Sequence, residues 1–382
     1  MKTVAVSISQ YHNYRGHYRI WADASLRILL EMGVVVYVIG DVADISALQS
    51  RFEGVHSIYY IEESRISSLT KSVLAIQNWI TLNKCIKKNI SPLPSFVFFP
   101  ELKWFISPLR FRITWPIAKK FPHRLVGFYA HPINNGLSQY DTLFKKCLFI
   151  KDFYREEFFK FTDHILLNPS LEETGTRDIS EWIRSVPDCY WDLSLDYSDP
   201  IVEEVHRERQ ERRLIVLVGC IEKRKNYDIF IEAASRMNSE KYLFVMAGKW
   251  DPGLSPPVKS SNLLVFDQVT SDRCLNTLLK IADVNFVTYK NHSYSSGILV
   301  KSAALGTPSI ASKSYMGDVT KRHKLGIQLE RTSVDEVVRA IHLLTANDRA
   351  RYFDESSAMR FGEFHSERNW TKRIREVFEE SL

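Results

Sequence analysis

Two turns in the second half of the chain carry residues suited to holding a phosphate. The first follows Leu214-Ile215-Val216-Leu217-Val218, an apolar run that reads as a buried strand and ends in Gly219. Cys220-Ile221-Glu222-Lys223-Arg224-Lys225-Asn226 come next, then a helix expected from about Tyr227 to Arg236. Arg224 and Lys225 therefore stand at the carboxyl end of a strand, the edge of an open α/β sheet where ligands bind. A guanidinium fork beside an ammonium point charge suits a diphosphate. The second turn follows the strand-like run Val284-Asn285-Phe286-Val287-Thr288-Tyr289 and a polar loop from Lys290 to Tyr294. Ser295-Ser296-Gly297 opens an apolar helix from Ile298 to Leu305, which Gly306 stops, with Pro308 two residues on. Such a helix start exposes backbone N–H groups and the positive end of a helix dipole, and both attract an anion. Taken singly, the first turn also fits a solvated basic loop and the second an ordinary βαβ turn. Their occurrence in one domain favours phosphate binding.

The elements that must position these turns alternate along the chain. In the second half, Leu243-Phe244-Val245-Met246-Ala247-Gly248, Leu264-Val265-Phe266 and Ser309-Ile310-Ala311 read as further strands. In the first half, strands are expected at residues 3–8, 34–39, 57–61, 95–99, 125–129 and 164–167, with helices at 18–32, 68–88, 142–161 and 171–176. Strand–helix alternation implies mostly parallel sheets. The polar, charged stretch 193–213 reads as the segment between two domains, and 334–382 reads as helical. Trp370, Ile374 and Phe378, spaced four apart, would form one apolar helix face.

Composition is that of an ordinary globular protein. The 382 residues are 45% hydrophobic and 25% charged, with a formal net charge of +6. That length suits two domains. Five scattered cysteines without a Cys-x-x-Cys pair point to reduced thiols and a cytoplasmic setting. Met1-Lys2 leads directly into a strand, so no signal peptide is expected, and no apolar run reaches 18 residues. There is no Asp-x-Asp triplet, no Gly-x-Gly-x-x-Gly and no Walker loop, and the histidines lack metal-ligand spacing. Dehydrogenase and NTPase readings are therefore disfavoured, and no metal site and no cofactor are expected.

The order of these motifs resembles the GT-B glycosyltransferases, in particular the large retaining group known as family 4. That group carries a Gly-x-x-x-x-[Arg/Glu]-Lys-[Gly/Asn] turn, matched by Gly219, Arg224, Lys225 and Asn226. Further on it has a Ser/Gly-rich turn, a helix and Gly-Thr-Pro, matched by Ser295, Ser296, Gly297, Gly306, Thr307 and Pro308. The likeness is good over residues 212–330 and weaker before them. It implies an α/β protein of two Rossmann-like domains facing a central cleft, with the C-terminal helix crossing back. Residues 1–195 would bind the acceptor, 196–355 the nucleotide-sugar donor, and 356–382 would pack back on the first domain. The donor side would comprise Gly16, Gly219, Arg224, Lys225, Gln268, Val269, Ser295, Ser296, Gly297, Ile298 and Lys301. His131, in Tyr129-Ala130-His131-Pro132, would orient or stabilise the reacting sugar, and Glu101 is a weaker candidate for acceptor hydroxyls. His131 read without the resemblance is equally a loop histidine with a local hydrogen bond. Arg224, Lys225 and the helix N–H groups would then stabilise the leaving phosphate in a metal-free, retaining transfer.

One departure stands out. The family has two glutamates separated by seven residues around the Ser/Gly-rich turn, and the second binds the donor ribose. Here those positions hold Ser293 and Lys301. A lysine ammonium accepts no hydrogen bond, so ribose recognition differs, or donor binding is weak, or activity is lost.

Residues 84–124 form a distinctive basic stretch. Lys84, Lys87, Lys88, Lys103, Arg110, Arg112, Lys119, Lys120 and Arg124 stand against one acid, Glu101, with Trp104, Phe105, Phe111, Trp115 and Phe121 interleaved. Cations with aromatic anchors suit an anionic membrane surface. Core packing under solvated charge is the plain alternative, and single-stranded nucleic acid, which uses the same residue types, is disfavoured.

The sequence thus leads to a hexosyltransferase-type glycosyltransferase. It would move sugar from a UDP- or GDP-sugar to a glycan or lipid-linked acceptor in polysaccharide or glycolipid assembly. It is expected in the cytoplasm, peripheral on the inner face of the plasma membrane, with no nucleic-acid partner. A catalytically weak GT-B protein that binds a sugar, nucleotide or partner, and a nucleotide-sugar epimerase, are the alternatives.

Overall fold

The computed structural model describes residues 2–8, 17–59, 70–100, 123–128, 165–170, 183–290 and 295–382. Contacts divide the chain into two compact units. The first comprises Met1–Pro169, Glu173–Val186 and Thr371–Leu382; the second comprises Ser170–Glu172 and Pro187–Trp370.

The first unit is built on a sheet of β1 (Thr3–Ser7), β2 (Val35–Gly40), β3 (His56–Tyr59), β4 (Phe96–Phe99), β5 (Arg124–Phe128), β6 (Ile165–Ser170) and β7 (Ile183–Pro187), in the order β3-β2-β1-β4-β5-β6-β7. The registered pairs from β3 to β6 are parallel, as the alternation of strands with α1 (His17–Glu31), α2 (Val42–Gln49) and α3 (Thr70–Asn89) requires. β1 and β4 are buried along their whole length, which explains their continuous apolar runs. Expected strand limits and observed ones differ by a residue or two at most ends, and β7 is an addition that the sequence reading did not contain. The helices expected at 142–161 and 171–176 lie outside the described residues.

The second unit carries a sheet of β8 (Arg213–Val218), β9 (Tyr242–Ala247), β10 (Leu263–Phe266), β11 (Val284–Val287), β12 (Ser309–Ala311) and β13 (Gly326–Gln328), ordered β10-β9-β8-β11-β12-β13 and parallel at every registered pair. Its helices are α4 (Pro200–Arg209), α5 (Tyr227–Arg236), α6 (Asp272–Ile281), α7 (Gly297–Ala304), α8 (Tyr315–Arg322), α9 (Val334–Thr345) and α10 (Glu355–Phe364); α11 (Glu367–Ser381) starts here and continues into the first unit. Alternate residues of β8 and β9 face opposite layers. Ile215, Leu217, Phe244 and Met246 cluster with Phe230 of α5 and Val337 and Ile341 of α9. Leu214, Val216, Leu243 and Val245 cluster with Val205 of α4 and Leu275, Leu278 and Leu279 of α6.

The charged stretch 193–213 is not an open linker. Asp199 caps α4 by accepting from the Ile201 N–H at 2.9 Å, and Pro200 sits in the first turn, where its missing N–H costs nothing. Ile201, Val202 and Val205 are buried. The run of arginines after them is pinned by Asp283: Arg209 Nη2 lies 2.8 Å from Oδ2 and Arg213 Nη1 3.0 Å from Oδ1. Asp283 also accepts from the Leu214 N–H at 2.8 Å, so one carboxylate joins the end of α4, β8 and β11.

At the C-terminus, Trp370, Ile374 and Phe378 are all fully buried, as their spacing predicts. Phe378 lies 5.5 Å from Phe96 and 5.3 Å from Phe98, ring centre to ring centre. Trp370 meets Trp191 edge-on at 4.9 Å within the second unit.

Candidate functional site

The strand order of the second unit reverses at β8. From β8 the chain first adds β9 and β10 on one side, then returns to place β11 and β12 on the other. At such a switch point the turns after the two central strands diverge and leave a crevice at the carboxyl edge. The two sequence-predicted phosphate turns are the ones that follow β8 and β11.

The turn after β8 is shaped by glycine. Gly219 has φ +81°, and a Cβ there would stand 3.3 Å from Lys225 Nζ and 3.7 Å from Ile298 Cδ1. Lys223–Lys225 then form one tight helical turn, and Asn226, in the left-handed region at φ 49°, starts α5. The Asn226 side-chain amide donates to Thr288 Oγ1 at 3.3 Å, and the Lys290 N–H donates to the Arg224 carbonyl at 2.6 Å. The two turns are therefore tied together by backbone as well as by side chain.

Lys225 is the unusual member. It is only 7% exposed, and its Nζ donates to the Val218 carbonyl at 2.8 Å. Its ammonium lies 6.0 Å from the centre of the Tyr289 ring. Among the described residues it forms no ion pair. Burial lowers its pKa from 10.5 to about 8, an effect that the nearby Glu222 partly opposes. Arg224 is half exposed; it stacks its guanidinium 5.0 Å from the Tyr289 ring centre and pairs with Glu222.

Tyr289 is the hub of the site. It is buried, its hydroxyl lies 3.2 Å from Ser296 Oγ, and its backbone N–H donates to Ser312 Oγ at 3.1 Å. Burial raises its pKa, so the phenol stays neutral. Ser296 is the N-cap residue of α7 but makes no side-chain cap hydrogen bond, because its hydroxyl is turned to Tyr289. The first N–H groups of α7 have no carbonyl partner within their own helix. One aromatic ring thus holds a half-exposed guanidinium, a buried ammonium and a helix N-terminus on one sheet edge. Cations and helix N–H groups gathered in this way are chemically suited to an anion such as a diphosphate.

The remaining candidates fall into three groups. Gly219, Arg224, Lys225, Ser296 and Ile298 come together here, with Ser295 and Gly297 adjoining them at the start of α7. Lys301 lies one turn further along α7, but its side chain is 14% exposed and its ammonium is bound to Asp272 at 2.9 Å. Gln268 and Val269 lie on the loop between β10 and α6, exposed, with Val269 at 82%. Gly16, Glu101, His131 and Ser293 lie outside the described residues. Sequence reasoning did not single out Tyr289, Glu222 or Asp272. The available signal for Tyr289 was its place as the last residue of the β11 run, at the carboxyl end where side chains meet ligands.

Comparisons with known proteins bear on the family and the fold. Residues 199–363 match the family model described as glycosyl transferases group 1. This stretch is similar to the group 1 glycosyl transferases. The fold is that of the GT-B glycosyltransferases, two α/β units on parallel sheets. Among solved structures, a glycosyltransferase from Rickettsia africae ESF-5 superposes with a TM-score of 0.62 at 15% identity, covering 100% of this chain and 98% of that one. HepE of Anabaena, solved with UDP and glucose, gives a TM-score of 0.60 at 12% identity, covering 100% and 99%. The K(+)/H(+) antiporter subunit KhtT of Bacillus subtilis (strain 168) is 26% identical over 128 residues, 32% of this chain and 73% of that protein. Among the described residues, no group of three or more His, Cys, Asp or Glu side chains is placed to hold a metal ion.

Proposed function

We propose that the protein is a glycosyltransferase that uses a nucleotide-activated hexose, with the donor held by the second unit and the acceptor by the first. The group 1 match supports sugar transfer in general. The observation that carries the finer reading is Lys225. A buried ammonium without an ion pair is costly, and it lies at the point where the two phosphate turns meet. A diphosphate supplies the missing countercharge. UDP-glucose, bound by HepE, makes UDP-sugars the first donors to test, followed by GDP-sugars.

In this mechanism Arg224 and Lys225 bind the diphosphate, and the N-terminus of α7 adds its N–H groups. As the glycosidic bond to phosphate lengthens, negative charge grows on the leaving oxygen, and these donors stabilise it without reorganising. The chemistry needs no metal, and the sugar is transferred with retention to a glycan or lipid-linked acceptor in polysaccharide or glycolipid assembly. Gln268 and Val269, exposed on the loop after β10, are assigned to the nucleoside, and the family resemblance gives His131 the reacting sugar and Gly16 the diphosphate. Lys84, Lys87 and Lys88, exposed on the last turns of α3 while Leu82 and Ile86 point inward, support contact with an anionic membrane face. The test is release of nucleoside diphosphate from UDP- or GDP-hexose in the presence of acceptor glycolipid, with and without EDTA. Turnover that persists in EDTA is expected; loss with EDTA and recovery with Mn²⁺ contradicts the metal-free mechanism.

A further inference from the structure

Lys301 and Asp272 form an ion pair of unequal members. The Lys301 side chain is 14% exposed, whereas the Asp272 side chain is 71% exposed. A pair this open contributes little to stability, typically about 0–1 kcal/mol, so folding alone does not account for it. Nor does Asp272 cap its helix: Ser271 does, accepting from the Cys274 N–H at 3.0 Å. The one described polar partner of Asp272 is Lys301. The lysine binds Oδ1, and no described hydrogen bond engages Oδ2.

Position gives that oxygen a use. α6 follows β10 and α7 follows β11, so both helices begin at the same carboxyl edge of the parallel sheet. Lys301 is four residues beyond Gly297, about 6 Å along α7 and on the same helical flank. Ile298 on that flank approaches Gly219. The Asp272 carboxylate, held by Lys301, therefore lies on the α6 side of the same carboxyl edge as the phosphate turns. In a nucleoside diphosphate the group attached to the phosphates is a pentose with two neighbouring hydroxyls. A carboxylate accepts from both at once, which a lysine cannot do.

We infer that Asp272, steadied by Lys301, is the acceptor for the ribose hydroxyls of the donor and sets the preference for ribonucleotides. This inference rests on the diphosphate site proposed above. The test is isothermal titration of wild type, Asp272→Asn and Lys301→Met with UDP, GDP, their 2′-deoxy and 3′-deoxy counterparts, and inorganic pyrophosphate. Wild type is expected to bind one ribonucleoside diphosphate about tenfold or more tightly than its deoxy forms. Asp272→Asn should bring the ribo and deoxy affinities together while leaving pyrophosphate affinity unchanged, a pattern that general destabilisation does not produce. Lys301→Met should narrow the ratio partially. An undiminished ribo preference in Asp272→Asn overturns the assignment of Asp272 alone. No binding of any diphosphate by wild type overturns the donor site itself and this inference with it.

Discussion

The Lys225 ammonium donates to the Val218 carbonyl at 2.8 Å, beneath the face of Tyr289 and out of contact with any described carboxylate. A neutral oxygen and a ring face compensate a full charge only in part, and its pKa is correspondingly lowered by burial to about 8. An anion beside Lys225 would offset this uncompensated charge. The properties of the site should differ measurably between the free and liganded protein.

The first consequence is a pH dependence. Lys225 falls from 10.5 in the unfolded chain to about 8 in the folded one. Between these values the unfolded chain binds the extra proton, so this residue's contribution to stability rises as pH increases from about 8 towards 10.5. A bound diphosphate restores the pKa, so binding above pH 8 takes up a proton. Diphosphate affinity should be flat below about pH 7.5 and decline up to tenfold per unit above 8. Titration calorimetry in buffers of different ionisation enthalpy measures both the decline and the proton uptake. Affinity constant to pH 9.5 would contradict a protonated Lys225 in the complex.

Replacing Lys225 by methionine should separate stability from function. The desolvated charge disappears while the stem volume is nearly kept. A shift from 10.5 to about 8 corresponds to on the order of 3 kcal/mol of unfavourable charge burial, an upper bound on the gain. The unliganded variant should melt at or above the wild-type temperature and show a smaller thermal shift than wild type at equal nucleotide concentration. Loss of folding in Lys225→Met would show that the Val218 hydrogen bond is needed for the fold.

Lys301→Glu introduces the residue that the family resemblance implies here, yet it sets a second carboxylate beside Asp272. The attraction across 2.9 Å becomes repulsion. Donor affinity should fall, by about tenfold as an order of magnitude for a lost charge-assisted contact. Tighter nucleotide binding by Lys301→Glu would mark the wild-type site as a decayed one.

For the basic stretch, sedimentation with liposomes decides. The exposed Lys84, Lys87 and Lys88 should favour anionic over neutral vesicles. Rising salt should release the protein, because exposed charges are screened within about 8 Å at physiological ionic strength. Equal sedimentation with both lipids contradicts a charge-driven membrane contact.

What the sequence disclosed follows from the range of each signal. Gly219, Arg224, Lys225 and the Ser295-Ser296-Gly297 start of α7 were legible because strand, turn and helix signals are local and repeat with fixed periods. The burial of Trp370, Ile374 and Phe378 was legible for the same reason. α4 was missed because its polar face outweighed the three buried residues Ile201, Val202 and Val205, and because the Asp283 carboxylate that gathers Arg209 and Arg213 lies some seventy positions away in sequence. Tyr289 and Asp272 were missed on similar grounds. Each acts through a partner on another element, Arg224 and Ser296 for the tyrosine and Lys301 for the aspartate, and only the sheet order brings those elements together.

The central claim, that Lys225 and Arg224 hold a nucleoside diphosphate, is tested most directly by titrating wild type and Lys225→Met with UDP and GDP in a calorimeter at pH 7. Wild type should bind one of them with measurable heat and a raised melting temperature. Lys225→Met, still folded, should bind it at least tenfold more weakly, the 1.5–3 kcal/mol typical of a hydrogen bond to a charged group. Equal affinity in the two proteins, or no binding of either nucleotide by wild type, would contradict the account.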